Sequence, residues 1–177
     1  GLAYGFKWVW APLVDRMPIP VLTRLLGRRR SWLLLAQLVV VAGLVGMALA
    51  DPRLTLGPIV WCALAVAFGS ATQDIALDAF RIESADANHQ AALAASYQTG
   101  YRLAMIWAGA GVLWIAARSE VAPAVGQALA QGAAAYQNGA WQAAYLAMAA
   151  SMLVGIVTVL FSREPAPVAL PPAKNAA

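Results

Sequence analysis

From Ser31 to Ala50 the chain runs for 20 residues without one Asp, Glu, Lys or Arg. At 1.5 Å per residue such a helix is about 30 Å long, the thickness of a bilayer's hydrocarbon core. Leu54 to Gln73 and Ala140 to Phe161 are equally free of charge, and Ala91 to Ala117 is broken only by Arg102. Gly1 to Val14 is apolar and aromatic but too short to cross, so it reads as the second half of a span whose start is missing. The expectation is an all-α membrane protein with one partial and four complete transmembrane helices. Residues 1–162 then form part of a transmembrane half, with spans at about 1–14, 31–50, 54–80, 91–117 and 140–161. Residues 163–177 are a Pro-rich linker or tail without a core.

Composition supports this. The chain is 62% hydrophobic and 11% charged, where soluble domains carry about 25% charge. Its net charge of +4 does not point to nucleic acid, because the basic residues cluster in one short loop between apolar runs. The lone Cys62 sits inside an apolar run and reads as a packed thiol.

Alternation of spans sets the topology. The loop Asp15–Arg30, the polar loop Ser84–Gln90 and the tail fall on one side. They and the adjoining span ends hold Arg16, Arg24, Arg28, Arg29, Arg30, Arg81, Arg163 and Lys174. The other side holds Arg53 and Arg118. This asymmetry makes the Arg-rich side cytoplasmic. The opposite side carries the Asp51-Pro52-Arg53 turn and an Ala-, Gln- and Gly-rich loop, Arg118–Gly139, with room for a short surface helix.

Charge within the spans is uneven. Asp74 and Asp78 lie one helical turn apart, and Arg81 and Glu83 follow them. Lys7 lies about 12 Å and Arg102 about 15 Å along their spans, both near the midplane. The Ser31 and Ala140 spans have no charge. Buried charge faces protein or water, never lipid. Three spans therefore line a polar cavity and two support them. Asp74 and Asp78 read either as proton-coupling acids or as a clamp with Arg81 or the Arg28–Arg30 loop. An Arg102–Asp74 pair is within reach. Lys7 and Arg102 read either as cations for an anionic substrate or as internal ion-pair partners. Tyr97, Gln98 and Tyr101 surround Arg102 and suit sugar hydroxyls or helix packing. Trp8 and Trp10 suit sugar stacking or a lipid-facing belt. Gly109 and Gly111 read as close-contact glycines, and His89 as a solvated loop residue. There is no nucleophile–base pair, phosphate loop or Cys–His metal set, so neither an enzyme nor a cofactor is expected. A scaffold subunit does not need charges on three spans.

Four motifs then carry a resemblance: W-A-P-L-V-D-R at Trp10–Arg16, G-R-R-R-S-W-L-L-L-A-Q at Gly27–Gln37, S-A-T-Q-D-I-A-L-D-A-F-R at Ser70–Arg81 and G-Y-R-L-A-M at Gly100–Met105. In this order the chain resembles the AmpG-type muropeptide permeases of the major facilitator superfamily. The resemblance implies helices two to six of a six-helix half, followed by the start of a central linker. It implies a secondary carrier importing anhydromuropeptides across the bacterial inner membrane with protons, working with the remaining helices and the lipid bilayer. Lys7, Gln98, Tyr101 and Arg102 are then substrate candidates. Asp74, Asp78, Arg81, Asp15 and Arg28 are candidates for proton coupling or gating, the last two through the superfamily's cytoplasmic loop. That loop is stretched here by M-P-I-P-V-L-T-R-L-L-G. The alternative is a carrier of another large organic anion, such as an acyl-CoA-like nucleotide.

Reporter fusions at Arg24 and Ala87 are expected to read cytoplasmic, and fusions at Asp51 and Gln131 external. A cytoplasmic signal at Gln131 breaks the span count.

Overall fold

The computed structural model describes residues 5–52, 54–84, 86–120 and 138–165. Arg53, Gln131, Lys174, most of the Arg118–Gly139 loop and most of the Pro-rich tail lie outside them. The described residues form α1 (Lys7–Arg16), α2 (Leu22–Leu26), α3 (Arg28–Leu49), α4 (Gly57–Ser84), α5 (Gln90–Ile106), α6 (Val112–Glu120) and α7 (Asn138–Phe161). A single 3-10 turn, Ala87–His89, precedes α5, and a wider π-type turn, Trp107–Gly111, joins α5 to α6 without a break in the rod. Four of these stretches are long and apolar enough to cross a membrane: Arg28–Leu49, Gly57–Ser84, Gln90–Ser119 and Gly139–Phe161. The protein is an all-helical, multi-pass membrane protein.

α3 packs on both α4 and α7, α1 packs on α4, and α6 packs on α7. The buried core lies where α1, α3, α4 and α7 meet: Val14, Leu33, Ala76 and Val159, wrapped by Trp10, Trp32, Ile75 and Phe80. Elsewhere large apolar side chains stay exposed, such as Trp61, Leu103 and Phe161. In lipid such exposure is the ordinary state, because an acyl chain is as apolar as leucine.

The start of α3 departs from the expected boundary at Ser31. The helix begins at Arg28, inside the supposed loop. A helix start leaves N–H groups without partners and carries positive dipole charge. Here the Glu164 carboxylate accepts the backbone N–H of Arg29 at 2.8 Å and that of Arg30 at 3.2 Å. In return the Arg30 guanidinium donates to the carbonyls of Val159 and Leu160 at 2.9 and 2.6 Å, in the last turn of α7. Each helix thus closes the open end of the other. Gly27, at φ +90°, makes the turn into α3, and a Cβ there would collide with the Glu164 side chain. Both demands leave only glycine at this position.

The glycines that allow close helix approach are also not the expected ones. Among the described residues Gly109 meets nothing within 4 Å, and Gly111 faces Trp107 of its own rod. The close contact is between α3 and α4. A Cβ at Gly43 would lie 2.6 Å from Val66 Cγ2 and 3.0 Å from the Cys62 carbonyl oxygen. At Gly46 it would lie 2.5 Å from Cys62 Sγ, and at Gly69 3.2 Å from the Ala36 carbonyl oxygen. The Cys62 thiol is therefore part of this packing. Asp51 turns the chain between the two helices, its carbonyl accepting the N–H groups of Leu54 and Thr55 at 3.2 and 3.3 Å.

Gly43→Val is expected to destabilise the detergent-solubilised protein by about 1–3 kcal/mol, the range for overpacking. Gly57→Ala, where the added Cβ meets nothing, is expected to stay within about 0.5 kcal/mol. Thermal unfolding of the two variants side by side checks this.

Candidate functional site

Two charge clusters lie along the bundle. The first sits at one end, where α1 closes and α3 opens. Asp15 closes α1, Arg29 opens α3 and Glu83 closes α4. Arg29 is buried to 7% exposure. Its Nε lies 3.1 Å from both Glu83 carboxylate oxygens, one terminal nitrogen donates to Glu83 at 2.5 Å, and the other to Asp15 at 2.6 Å. A guanidinium can serve two carboxylates because its donors point outward in a fixed planar fork. Trp32 Nε1 adds a hydrogen bond to the Met17 carbonyl at 2.9 Å, tying the chain after α1 to α3.

Of the loop arginines, it is Arg29 that pairs with Asp15, and the gating candidate Arg28 makes no ion pair among the described residues. Helical phase decides between neighbours. Successive residues are about 100° apart around the axis, so only one of three adjacent arginines can face a given neighbour. Glu83 gains its role from the same phase, at the end of α4.

The second cluster lies deeper. Lys7 of α1 places Nζ 3.6 Å from Asp74 of α4. Tyr97 of α5 donates its hydroxyl to the same carboxylate at 3.4 Å. One turn further along α4, Asp78 pairs with Arg81 at 3.5 Å. The Arg81 guanidinium also lies over the Tyr97 ring, 4.9 Å from its centre. Asp74 and Lys7 are partly exposed, at 29% and 39% for their side chains. The Arg102–Asp74 pair is not formed. Of the two readings of Lys7, the ion pair is present, with Asp74 as its partner.

Gln98, Tyr101 and Arg102 fall at i, i+3 and i+4 of α5 and so share one face. With Met105 and Ile106 they line an open groove of about 560 Å³. Arg102 makes no ion pair among the described residues. The Tyr101 ring stacks on Tyr97, their centres 6.4 Å apart, which links the groove to the second cluster. Trp8 is 70% exposed, whereas Trp10 packs on Phe68 of α4 with ring centres 5.1 Å apart. His89 is exposed beside the polar turn. Among the described residues no group of three His, Cys, Asp or Glu side chains is placed to hold a metal.

The chain is similar to a protein named anhydromuropeptide permease from Escherichia coli K12, with 33% identity over 93% of this chain and 29% of that protein. It is similar to a putative transporter, AmpG 4, from Rickettsia felis, with 40% identity over 65% of this chain and 28% of that protein. An uncharacterized protein of Haemophilus influenzae is 37% identical over 93% of this chain and 33% of its own length. The chain thus spans about a third or less of the curated relatives it matches. No family model matches, and no solved structure matches.

Truncating one partner of a buried ion pair typically costs about 3–5 kcal/mol, because the other charge is left buried and unpaired. Arg29→Gln and Glu83→Gln are expected near that range. Asp15, whose side chain is 47% exposed, is expected to lose about 1 kcal/mol or less as Asn. Arg28→Gln is expected to be near neutral. Unfolding midpoints of the four variants in detergent give the order.

Proposed function

We propose that this chain, which belongs to the AmpG-type permease family, is part of a secondary carrier that imports anhydromuropeptides across the bacterial inner membrane in symport with protons. The likeness to the Escherichia coli permease along nearly the whole chain is the observation that carries this reading. The geometry supplies a chemistry that fits it.

An anhydromuropeptide presents peptide carboxylates and sugar hydroxyls. Its carrier needs cations for the first and amide or phenol groups for the second. The α5 groove offers Arg102, Gln98 and Tyr101 on one face. Arg102 has no acid partner among the described residues, which leaves its donors for a carboxylate. Lys7 joins in a conditional way. While Asp74 is ionised, it holds the Lys7 ammonium. When Asp74 takes up a proton, that ion pair loses its attraction and the ammonium becomes available to the substrate's carboxylate. Proton binding and anion binding then favour one another, as symport requires. Asp78 with Arg81 forms the neighbouring clamp. At the cytoplasmic end the Asp15–Arg29–Glu83 cluster holds α1, α3 and α4 together. It acts as the gate that opens when those helix ends separate.

The test is uptake of labelled anhydromuropeptide into membrane vesicles bearing the full-length carrier. Wild-type accumulation is expected to follow the proton gradient. Asp74→Asn should bind substrate yet lose that dependence. Arg102→Gln should weaken binding by roughly one to two powers of ten, the worth of one charge-assisted hydrogen bond. Esterifying the peptide carboxylates should reproduce the loss in wild type and add little in Arg102→Gln. Equal weakening of both proteins by esterification removes Arg102 from the carboxylate role. Uptake of a nucleotide-linked acyl anion in place of the muropeptide overturns the substrate class.

A further inference from the structure

Tyr97 touches both parts of the site. Its hydroxyl reaches Asp74 at 3.4 Å. Its ring lies under the Arg81 guanidinium and stacks on Tyr101. Tyr101 in turn lines the groove with Arg102 and Gln98. The groups facing this point are Lys7 from α1, Asp74, Asp78 and Arg81 from α4, and Tyr101 from α5.

We infer that Tyr97 is a positioning residue that transmits the charge state of Asp74 to the substrate groove. The inference rests on the carrier reading above and deepens it. An O–H···O hydrogen bond is usually about 2.7–2.8 Å. At 3.4 Å the Tyr97 contact is long, so a small movement between α4 and α5 makes or breaks it. With Asp74 ionised, its carboxylate accepts from both Tyr97 and Lys7, and α1, α4 and α5 converge on one charge. When a proton forms an O–H bond at Asp74 Oδ, the carboxylate loses its hold on Lys7 and no longer needs the phenol as donor. The Tyr97 ring is then free to shift under Arg81. Tyr101, stacked on it, shifts the wall of the groove. Release of the same proton restores the first arrangement. No co-reactant is involved, only one O–H bond formed and later broken.

The test compares two activities of the full-length carrier. Exchange of labelled for unlabelled anhydromuropeptide needs substrate binding and helix movement but no proton gradient. Accumulation against a concentration difference needs both and the gradient. Tyr97→Phe keeps the ring, its stacking and its contact with Arg81, and removes only the hydroxyl. It is expected to leave exchange and substrate affinity near wild type while lowering gradient-driven accumulation roughly tenfold, one hydrogen bond to a charged group. Combined with Asp74→Asn it should add nothing further, since both act on one step. An equal drop in exchange and accumulation makes Tyr97 a packing or substrate residue and overturns the inference. So does wild-type behaviour of Tyr97→Phe, or an additive loss in the double variant. If Asp74→Asn alone keeps gradient-driven accumulation, proton coupling through Asp74 fails. A Tyr97→Phe defect in that case disproves the link between the two residues. Exchange that is absent in wild type disproves the muropeptide reading.

Discussion

A buried guanidinium holds one end of this bundle together. Removing Arg29 from water is costly unless acids take up its donors, and Asp15 and Glu83 do so from two other helices. The three helix ends can therefore not drift apart without stranding a charge. Next to it, Glu164 and Arg30 exchange caps between the start of α3 and the end of α7. Both interactions use helix ends, which carry unsatisfied backbone groups in any helical protein. The apolar cluster of Val14, Leu33, Ala76 and Val159 lies at the same level. Polar closure and apolar packing thus reinforce one another at one end, while α5 has no buried residue at all.

The deeper cluster is built differently. Arg29 is tightly ligated at 2.5–3.1 Å. Asp74 is held at 3.4 and 3.6 Å by groups from two helices and stays partly exposed. A tight buried cluster resists change, and a loosely held, partly exposed one exchanges partners more readily.

The groove on α5 stands apart from both. Its cation faces open space in the described residues, with an amide and a phenol on the same helical face. Such a one-sided wall binds little by itself. The link back to the charged interior is aromatic: Tyr101 on Tyr97, and Tyr97 against Asp74 and Arg81. An acid and a binding surface on different helices can influence one another only through such contacts.

Much of this was legible in the chain. Uncharged runs long enough to cross a bilayer determine how many helices form and roughly where they lie, because hydrophobic length is a one-dimensional property. The i, i+3, i+4 spacing of Gln98, Tyr101 and Arg102 determined their common face for the same reason, and the motifs from Trp10 to Met105 determined the family. Partner choice was not legible. Whether Arg28 or Arg29 meets Asp15, and whether Lys7 or Arg102 meets Asp74, depends on the relative rotation of helices far apart in sequence. The same holds for Gly43 and Gly46 as contact glycines in place of Gly109 and Gly111, and for the caps between Glu164 and α3. Each helix's composition is satisfied by many rotations of its neighbours. Only packing selects one, because it alone decides which side chains face each other at the level where their charges and volumes must match.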